Sequence, residues 1–250
     1  MMFTPSVIHH RSCRGSDCPL HLPEHFGILC WNVHKKNRHP DFTRYLKNFN
    51  KHNAIDCLLL QEAEFGNEGI CALDEYAFDA AANLEVNGTF YGVLTASVIE
   101  SDEARPYLSK ARESLIGTHK SLLVSRYHFA DDTPLLILNI HAINFRETGS
   151  YERELQRFSE RAKSYEGPLI VAGDFNSWSA SRTWRLHRFK NALGLKTVRF
   201  DEKKKVKSFM GRRLDFIFYR GLKLIDSAVF DDHALSDHNS LYARFQKIPM

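Results

Sequence analysis

Apolar residues in this chain come in short runs, and most runs end on a polar residue. Residues 26–31 form one such run, closed by Asn32. Residues 56–61 lead to Glu62, 135–140 to His141, and 169–173 to Asp174. A run of this length, rich in β-branched and aromatic residues and bounded by turn formers, predicts a buried strand. Residues 214–219, 222–230 and 240–245 read the same way. Residues 76–98 predict two strands joined at Asn87-Gly88, a hairpin-turn dipeptide. Residues 120–127 and 135–140 predict a further antiparallel pair, joined through Asp131-Asp132-Thr133-Pro134.

Helical spacing appears between the strands. Phe42, Tyr45, Leu46 and Phe49 fall at i, i+3, i+4 and i+7 behind Pro40-Asp41, a helix-opening pair. Tyr151, Leu155, Phe158, Ala162 and Tyr165 mark a second helix. Leu186, Phe189 and Leu193 mark a third, with Gly194 as its C-cap. Residues 100–114 are charged and fit neither period. Strands outnumber helices, and hairpins alternate with single helices. This predicts an α/β (α+β) fold, two packed mixed β-sheets with helices on their outer faces. There are no internal repeats and no Gly/Ser-rich linker, so residues 25–250 are expected to form one domain. Residues 1–24 carry His, Pro, Ser, Cys and Gly without periodicity and are expected to be a loosely ordered arm.

Composition narrows the class. With 43% hydrophobic and 26% charged residues over 250 positions, the chain is ordinary for a soluble globular protein, and long enough to bury a sizeable core. The net charge of +4 leans towards anionic partners, though plain solubility accounts for it equally well. The five cysteines are odd in number and sparse, which argues against a disulfide framework. Cys13 and Cys18, with His9, His10 and His21 nearby, fit no strong zinc spacing. No run is long enough to span a bilayer, and the N-terminal residues carry no secretory h-region. A reducing, cytoplasmic setting is the expectation. No protein partner can be read from the chain.

The strand ends carry the chemistry. Asp174 and Asn176 are two positions apart, and in extended backbone such residues point to one side. A carboxylate and a carboxamide then face one spot at a strand's C-terminal end, where open layered folds place ligands. Turn formation is the competing explanation. Asp215 lies between Leu214 and Phe216, and a buried carboxylate is costly without a partner. Ser236-Asp237-His238-Asn239 precedes the last strand. Together these acids, amides and histidines suggest a metal-assisted site with its own base.

The same residues resemble a known pattern. Trp31-Asn32-Val33, Leu60-Gln61-Glu62, Tyr91-Gly92-Val93-Leu94, Asn139-Ile140-His141-Ala142-Ile143-Asn144, Gly173-Asp174-Phe175-Asn176, Leu214-Asp215-Phe216-Ile217 and Ser236-Asp237-His238 look like the motifs of the endonuclease/exonuclease/phosphatase superfamily, in that family's order. This is the fold of pancreatic-type DNases, abasic-site endonucleases and neutral sphingomyelinases. The blocks run from about residue 26 to 246, and 139–145 with 174–178 look closest to a small bacterial branch. The resemblance implies a DNase I-like four-layer sandwich. It also implies phosphoester hydrolysis with a divalent cation, magnesium first and manganese as its alternative. Glu62 then matches the main metal ligand, with Asn32 and Asp237 helping to hold the metal or its waters. Asp174 matches the acid that positions or deprotonates water, and Asn176 the amide that holds the scissile phosphate. His238 matches the catalytic histidine and Asp215 the acid that orients it. His141 falls near the phosphate, and Asn144 is a supporting amide. Whether Asp174 or His238 is the base is left open.

One departure bears on the substrate. Several DNA-cutting relatives carry an acid or an arginine where this chain has His34, followed by Lys35 and Lys36. The basic loop favours a phosphate contact and leaves one-metal and two-metal use undecided. Lys196, Arg199, Lys203, Lys204, Lys205, Lys207, Arg212 and Arg213 precede the Asp215 strand. They can track a nucleic-acid backbone or form a solvated loop. Trp178, Phe200 and Phe209 can stack on bases or belong to the core. Three readings follow. The first is a magnesium-dependent nuclease. The second is a phosphodiesterase or phosphatase for a lipid or soluble phosphoester. The third is a binding protein without catalysis, which the intact acid, amide and histidine set counts against.

Overall fold

The apolar runs do become strands, and the strands sort into two large sheets. The computed structural model describes residues 7–11, 18–66, 76–109, 120–144, 148–202, 205–231 and 234–249. In chain order the first sheet draws on β1 (Val7–Arg11), β2 (His25–Asn32), β3 (Cys57–Phe65), β4 (Ala77–Val86) and β5 (Thr89–Ser97). The second draws on β6 (Glu103–Leu108), β7 (Ser121–His128), β8 (Pro134–His141), β9 (Leu169–Asp174), β10 (Lys196–Thr197) and β13 (Asp215–Arg220). Between these last two, β11 (Ser208–Phe209) and β12 (Arg212–Arg213) form a small separate hairpin. β14 (Leu222–Phe230) and β15 (Ser240–Lys247) return to the first sheet. The strand orders are β1-β4-β5-β3-β2-β15-β14 and β10-β13-β9-β8-β7-β6.

Side-chain alternation builds four layers from these sheets. Ile28 and Cys30 point inward, to a central core shared with Leu59, Ile137, Ile170, Ala172, Ile217, Leu241 and Ala243. Leu29 and Trp31 point outward, where α1 (Pro40–His52) lays Phe42, Leu46 and Phe49 over them. On the far side, Leu138, Ile140, Val171 and Phe218 meet α2 (Thr148–Ala162) and α3 (Ala180–Ala192) through Tyr151, Leu155, Phe158, Leu186 and Phe189. The central strands are therefore buried on both faces, which is why they read as unbroken apolar runs. Burying one such side chain contributes about 1.5–3 kcal/mol relative to leaving it exposed. Pro40 opens α1, where its fixed φ suits the first turn and its missing N–H costs nothing.

The two sheets share one internal plan. Each has a parallel pair at its centre, β2 with β3 and β8 with β9. Each pair has an antiparallel neighbour, β15 beside β2 and β13 beside β9. Parallel strands end at the same edge of a sheet, and an antiparallel neighbour begins there. So the C-terminal ends of four strands meet the starts of two others.

Some elements departed from expectation. The ambiguous stretch 100–114 contains β6, an edge strand that is half-buried and so shows no clean alternation. Within the aperiodic residues 1–24, Val7–Arg11 pairs with β4. β10, β11 and β12 have two residues each, too few for any period to register. α2 ends at Ala162, and Tyr165 packs from beyond it, its hydroxyl donating to Pro134 O at 2.6 Å. Cys30 and Cys57 are free and buried, as expected. Cys18 is disulfide-bonded, a pairing that sequence spacing did not signal. Among the described residues no helix is long and apolar enough to cross a membrane.

Candidate active site

The predicted residues sit where the inner faces of both sheets reach solvent. Each is the next inward position after a core residue: Asn32 after Cys30, His141 two past Asn139, Asp174 after Ala172, Asp215 before Ile217. Parallel register sets His141 beside Asp174, and antiparallel register sets Asp215 on Asp174's other side. Glu62 would alternate outward, because Gln61 takes the inward place. A bulge in β3 between Leu60 and Ala63, with Glu62 at φ 51°, brings the carboxylate round. Beneath it, Gln61 Nε2 donates to Asn139 Oδ1 at 2.7 Å, a buried polar contact that bridges the sheets.

His238 is fixed through its backbone. Ser236 Oγ donates to Asn32 O at 2.6 Å and accepts from the His238 N–H at 3.1 Å. Trp31 Nε1 donates to His238 O at 2.7 Å. The ring then places Nδ1 at 2.8 Å from Asp215 Oδ2, with both side chains buried. Asn32 Nδ2 donates to Asp174 Oδ2 at 3.2 Å.

Asn176 meets Asp174, but not by strand alternation. Its φ is 47°, so the backbone has left the strand. Its N–H donates to Asp174 Oδ1 at 2.9 Å, and its amide nitrogen donates to Ala142 O at 2.9 Å. A turn closed by the Asp174 side chain brings the two groups together. Trp178 Nε1 donates to Asn144 Oδ1 at 3.0 Å, joining two more predicted residues.

These groups enclose a cleft of about 430 Å³, lined by Asn32, His34, Glu62, His141, Asn144, Asp174, Asn176, Trp178, Asp237 and His238. Asp215 lies behind His238. Lys35 does not line the cleft. It takes a left-handed turn at φ 62° and carries its ammonium over the Tyr91 ring, 5.6 Å from the centroid. Asp237 is exposed, with Lys207 Nζ at 2.9 Å and His34 Nδ1 at 3.4 Å.

Sequence reasoning missed several neighbours. Lys120 lines the cleft, with Nζ 3.1 Å from His141 Nε2. It stands just before β7, whose Leu122 pairs with Ile140 of β8, so it reaches the His141 edge. Its neighbours in sequence, His119 and Ser121, are polar, so it lacks the apolar flanks that marked Asp215. Arg182 gave no such signal. It is buried on α3, donates from Nη1 to Ile143 O at 2.7 Å and Asn176 O at 3.0 Å, and stacks on Tyr151 and Trp178. It thereby ties together the loops that carry Asn144 and Asn176.

Charge in the site is unevenly compensated. Burial, and then the Asp215 charge, push the Asp174 carboxyl up to about 7. Burial disfavours a charged His238, but Asp215's charge and hydrogen bond outweigh it and raise the imidazole to about 9. Burial, with the Lys120 and His238 charges, holds His141 well below the usual histidine range. An ammonium has only donors, so Lys120 donates to His141 Nε2 and the neutral ring carries its proton on Nδ1. Asp237 is opposed by burial, yet the Lys207 hydrogen bond and nearby cations hold it below its usual range.

The raised His238 value has a stability consequence. A histidine whose folded value lies above its unfolded value stabilises fully below about pH 6.5. That contribution disappears as pH rises through about 9. In chelator, wild-type protein is expected to lose on the order of 3 kcal/mol across this window. Asp215→Asn is expected to give a flatter curve. Urea midpoints between about pH 6 and 10 measure both, and parallel curves would remove the assignment.

The donor set suits a hard divalent cation. Glu62, Asn32, Asp174 and Asn176 present carboxylate and amide groups to the cleft, while Asp215 and His238, whose ligand atoms lie within 4.8 Å of that of Asp174, are bonded to each other. Glu62 Oε1 and Asp174 Oδ2 are each 3.7 Å from His141 Nε2. Asp215 Oδ1 is buried without a hydrogen-bond partner among the described residues. Carboxylate and amide oxygens at an open cleft are what magnesium and manganese take, and added positive charge would relieve Asp174.

Comparison with known proteins places the chain and its fold in one family. The Endonuclease/Exonuclease/phosphatase family matches over residues 29–238. UPF0294 protein YE0917 of Yersinia enterocolitica is 36% identical over 231 residues, covering 91% of this chain and 86% of that protein. Among solved structures, an endonuclease/exonuclease/phosphatase family protein from Leptotrichia buccalis superposes with a TM-score of 0.65 at 15% identity, over 88% of this chain and 99% of its own. D. rerio TDP2 complexed with a single-strand DNA product superposes with a TM-score of 0.63 at 16% identity, over 89% of this chain and 99% of its own. The chain belongs to the endonuclease/exonuclease/phosphatase family, a family of phosphoester hydrolases.

Proposed function

We propose that this protein is a divalent-metal-dependent phosphodiesterase of the nuclease type. The observation that carries the reading is the convergence of Asp174, Asn176, Glu62 and the Asp215–His238 pair on one cleft. Glu62 and Asn32 would hold the metal, and Asp237 would join them on parting from Lys207. When bound, the metal supplies charge neutralisation at the phosphoryl oxygens and lowers the pKa of a bound water.

The protein's own groups divide the remaining work. Asp174, a buried carboxylate beside the water's place in the cleft, accepts a proton from the attacking water. His238 is cationic at neutral pH, gives Nδ1–H to Asp215, and donates from Nε2–H to the phosphate or the leaving oxygen. On this reading Asp174 is the base and His238 the donor. Asn176 and the neutral His141 orient the phosphate. Arg182 keeps the Asn144 and Asn176 loops in register.

Support for a nucleic-acid substrate comes from the basic side chains beside the cleft and the single-strand DNA product held by TDP2. Lipid and soluble phosphoesters are the competing substrates. A panel of DNA, RNA, sphingomyelin, lysophospholipid and inositol phosphate, each with magnesium or chelator, separates them. Magnesium-dependent cleavage of DNA or RNA is expected. Turnover of none of the five would overturn the reading.

Glu62→Gln preserves size and removes charge. Half-maximal activity is expected to need at least roughly tenfold more magnesium, the loss seen even for groups that only support a ligand. Thermal unfolding in chelator is expected to be unchanged. An unaltered magnesium requirement would move the ligand role to another carboxylate.

A further inference from the structure

A larger depression lies on the other side of the β11–β12 hairpin, with a volume of about 860 Å³. α3 and the β10 edge wall it, and Phe216 lies in its floor. Lys190, Lys196, Arg199, Arg212 and Arg213 line it with His187, and among the described residues no aspartate or glutamate does. Among the described residues, none of these five cations forms an ion pair with a carboxylate. Basic residues nearby behave otherwise. Arg185 and Arg188 share Glu152 at 2.9 and 3.5 Å, and Lys205 pairs with Glu202 at 2.6 Å. Lysines and arginines of this surface are therefore not generally unpaired.

Like charges around one groove repel each other, by about 1 kcal/mol per pair at 4 Å in water and less further apart. A ligand with regularly spaced negative charges neutralises several at once and releases their counterions. The groove is also joined to the catalytic cleft. Phe209 lines the cleft, while its strand partner Arg212 lines the groove. Ser177, next to Asn176, donates from Oγ to Arg213 O at 2.6 Å and accepts at its carbonyl from Thr183 Oγ1 of the groove wall at 3.0 Å. The hairpin ridge carries Phe209 and Met210, 50% and 75% exposed, flat and apolar surface on which an unstacked base can lie.

We propose that this groove holds the sugar-phosphate backbone of a single nucleic-acid strand on one flank of the scissile phosphate, with the β11–β12 hairpin as the ridge the strand crosses. The inference rests on the phosphodiesterase reading and names its substrate class. The volume is that of a site for one small ligand, so it takes a few nucleotides of one strand and not a duplex.

The test combines Lys196→Ala, Arg199→Ala and Arg212→Ala. Binding is measured in a His238→Ala background, with magnesium present, so that substrate survives. The probes are a labelled single-stranded oligonucleotide of about 20 nucleotides and a labelled dinucleotide, over a range of salt. The triple substitution is expected to weaken the oligonucleotide on the order of tenfold. It should reduce the log–log salt slope by about 2, since three single-strand contacts are lost. Dinucleotide binding is expected to stay within about twofold. So is hydrolysis of bis(p-nitrophenyl) phosphate by the triple variant with His238 intact. Arg199→Lys with Arg212→Lys keeps the charge and should keep the slope, which separates charge from folding. An unchanged slope in the triple variant overturns the proposal. So does equal loss of the dinucleotide, or loss of binding to phosphatidylserine vesicles or inositol hexakisphosphate with the oligonucleotide unaffected. An oligonucleotide bound with the expected slope but never hydrolysed would sink the functional reading and leave the groove standing.

Discussion

In His238→Ala, turnover is expected to fall about 10²-fold or more, and adding Asp215→Asn to it is expected to cost little further. The reason is geometric. Asp215 does not line the cleft, and in the proposed mechanism it would act on substrate only through His238, whose Nδ1 it holds at 2.8 Å. Asp215→Asn keeps the shape of the carboxylate and removes the charge that makes imidazolium the favoured form. It should therefore cost nearly as much as losing the ring. The measurement is a double-mutant cycle on whichever phosphoester the substrate panel identifies. Fully additive losses would mean that the two residues work apart, and the pairing would have to be given up.

Gly173→Ala is expected to destabilise the protein by about 3 kcal/mol or more, and to disturb the site from beneath. Gly173 has φ 141°, and a Cβ there would lie 1.9 Å from Ile140 O on the neighbouring strand. That atom is backbone, so no rotamer can yield. β8 and β9 must part at the pair just before His141 and Asp174. Gly194→Ala is the control, because its φ of 63° is also left-handed but nothing lies within 4 Å of the added carbon. There only the strain of a left-handed alanine applies, about 1 kcal/mol. Denaturant midpoints compare the two, and equal losses would show that β8 moves aside easily.

Much of this site is written in local pattern. Asn32, His141 and Asp174 are legible because each breaks an apolar run at an inward position, and inward positions of central strands leave the core only at its rim. Asp215 is legible because its apolar neighbours make a carboxylate there expensive. Strand alternation predicts that Asn176 and Asp174 face one spot, and they do meet, but a left-handed turn and not the pleat joins them. Lys120 depends on how β7 registers against β8, and Arg182 on which face α3 turns to two loops. Neither relation is local. Adjacency groups Lys35 with His34, yet consecutive left-handed residues send the two side chains to different places. The basic run before β13 also divides. Lys207 serves Asp237, Lys205 serves Glu202, and Lys196, Arg199, Arg212 and Arg213 line the groove. Lys203 and Lys204 lie outside the described residues.

The pairing of β15 with β2 sets the order in which this protein can be made. Leu241 pairs across to Cys30, so the centre of the first sheet is closed by a segment made long after β2 itself. Until then β2 presents an open edge flanked by Phe26, Ile28, Leu29 and Trp31, residues destined for burial on both faces. Such an edge invites pairing with another nascent chain, and contacts this distant in sequence form slowly. His238 arrives with the same late segment. A ribosome-bound chain lacking it can hold β8 and β9 together and still have no complete Asp215–His238 pair, so catalytic competence arrives only with the strand that seals the sheet.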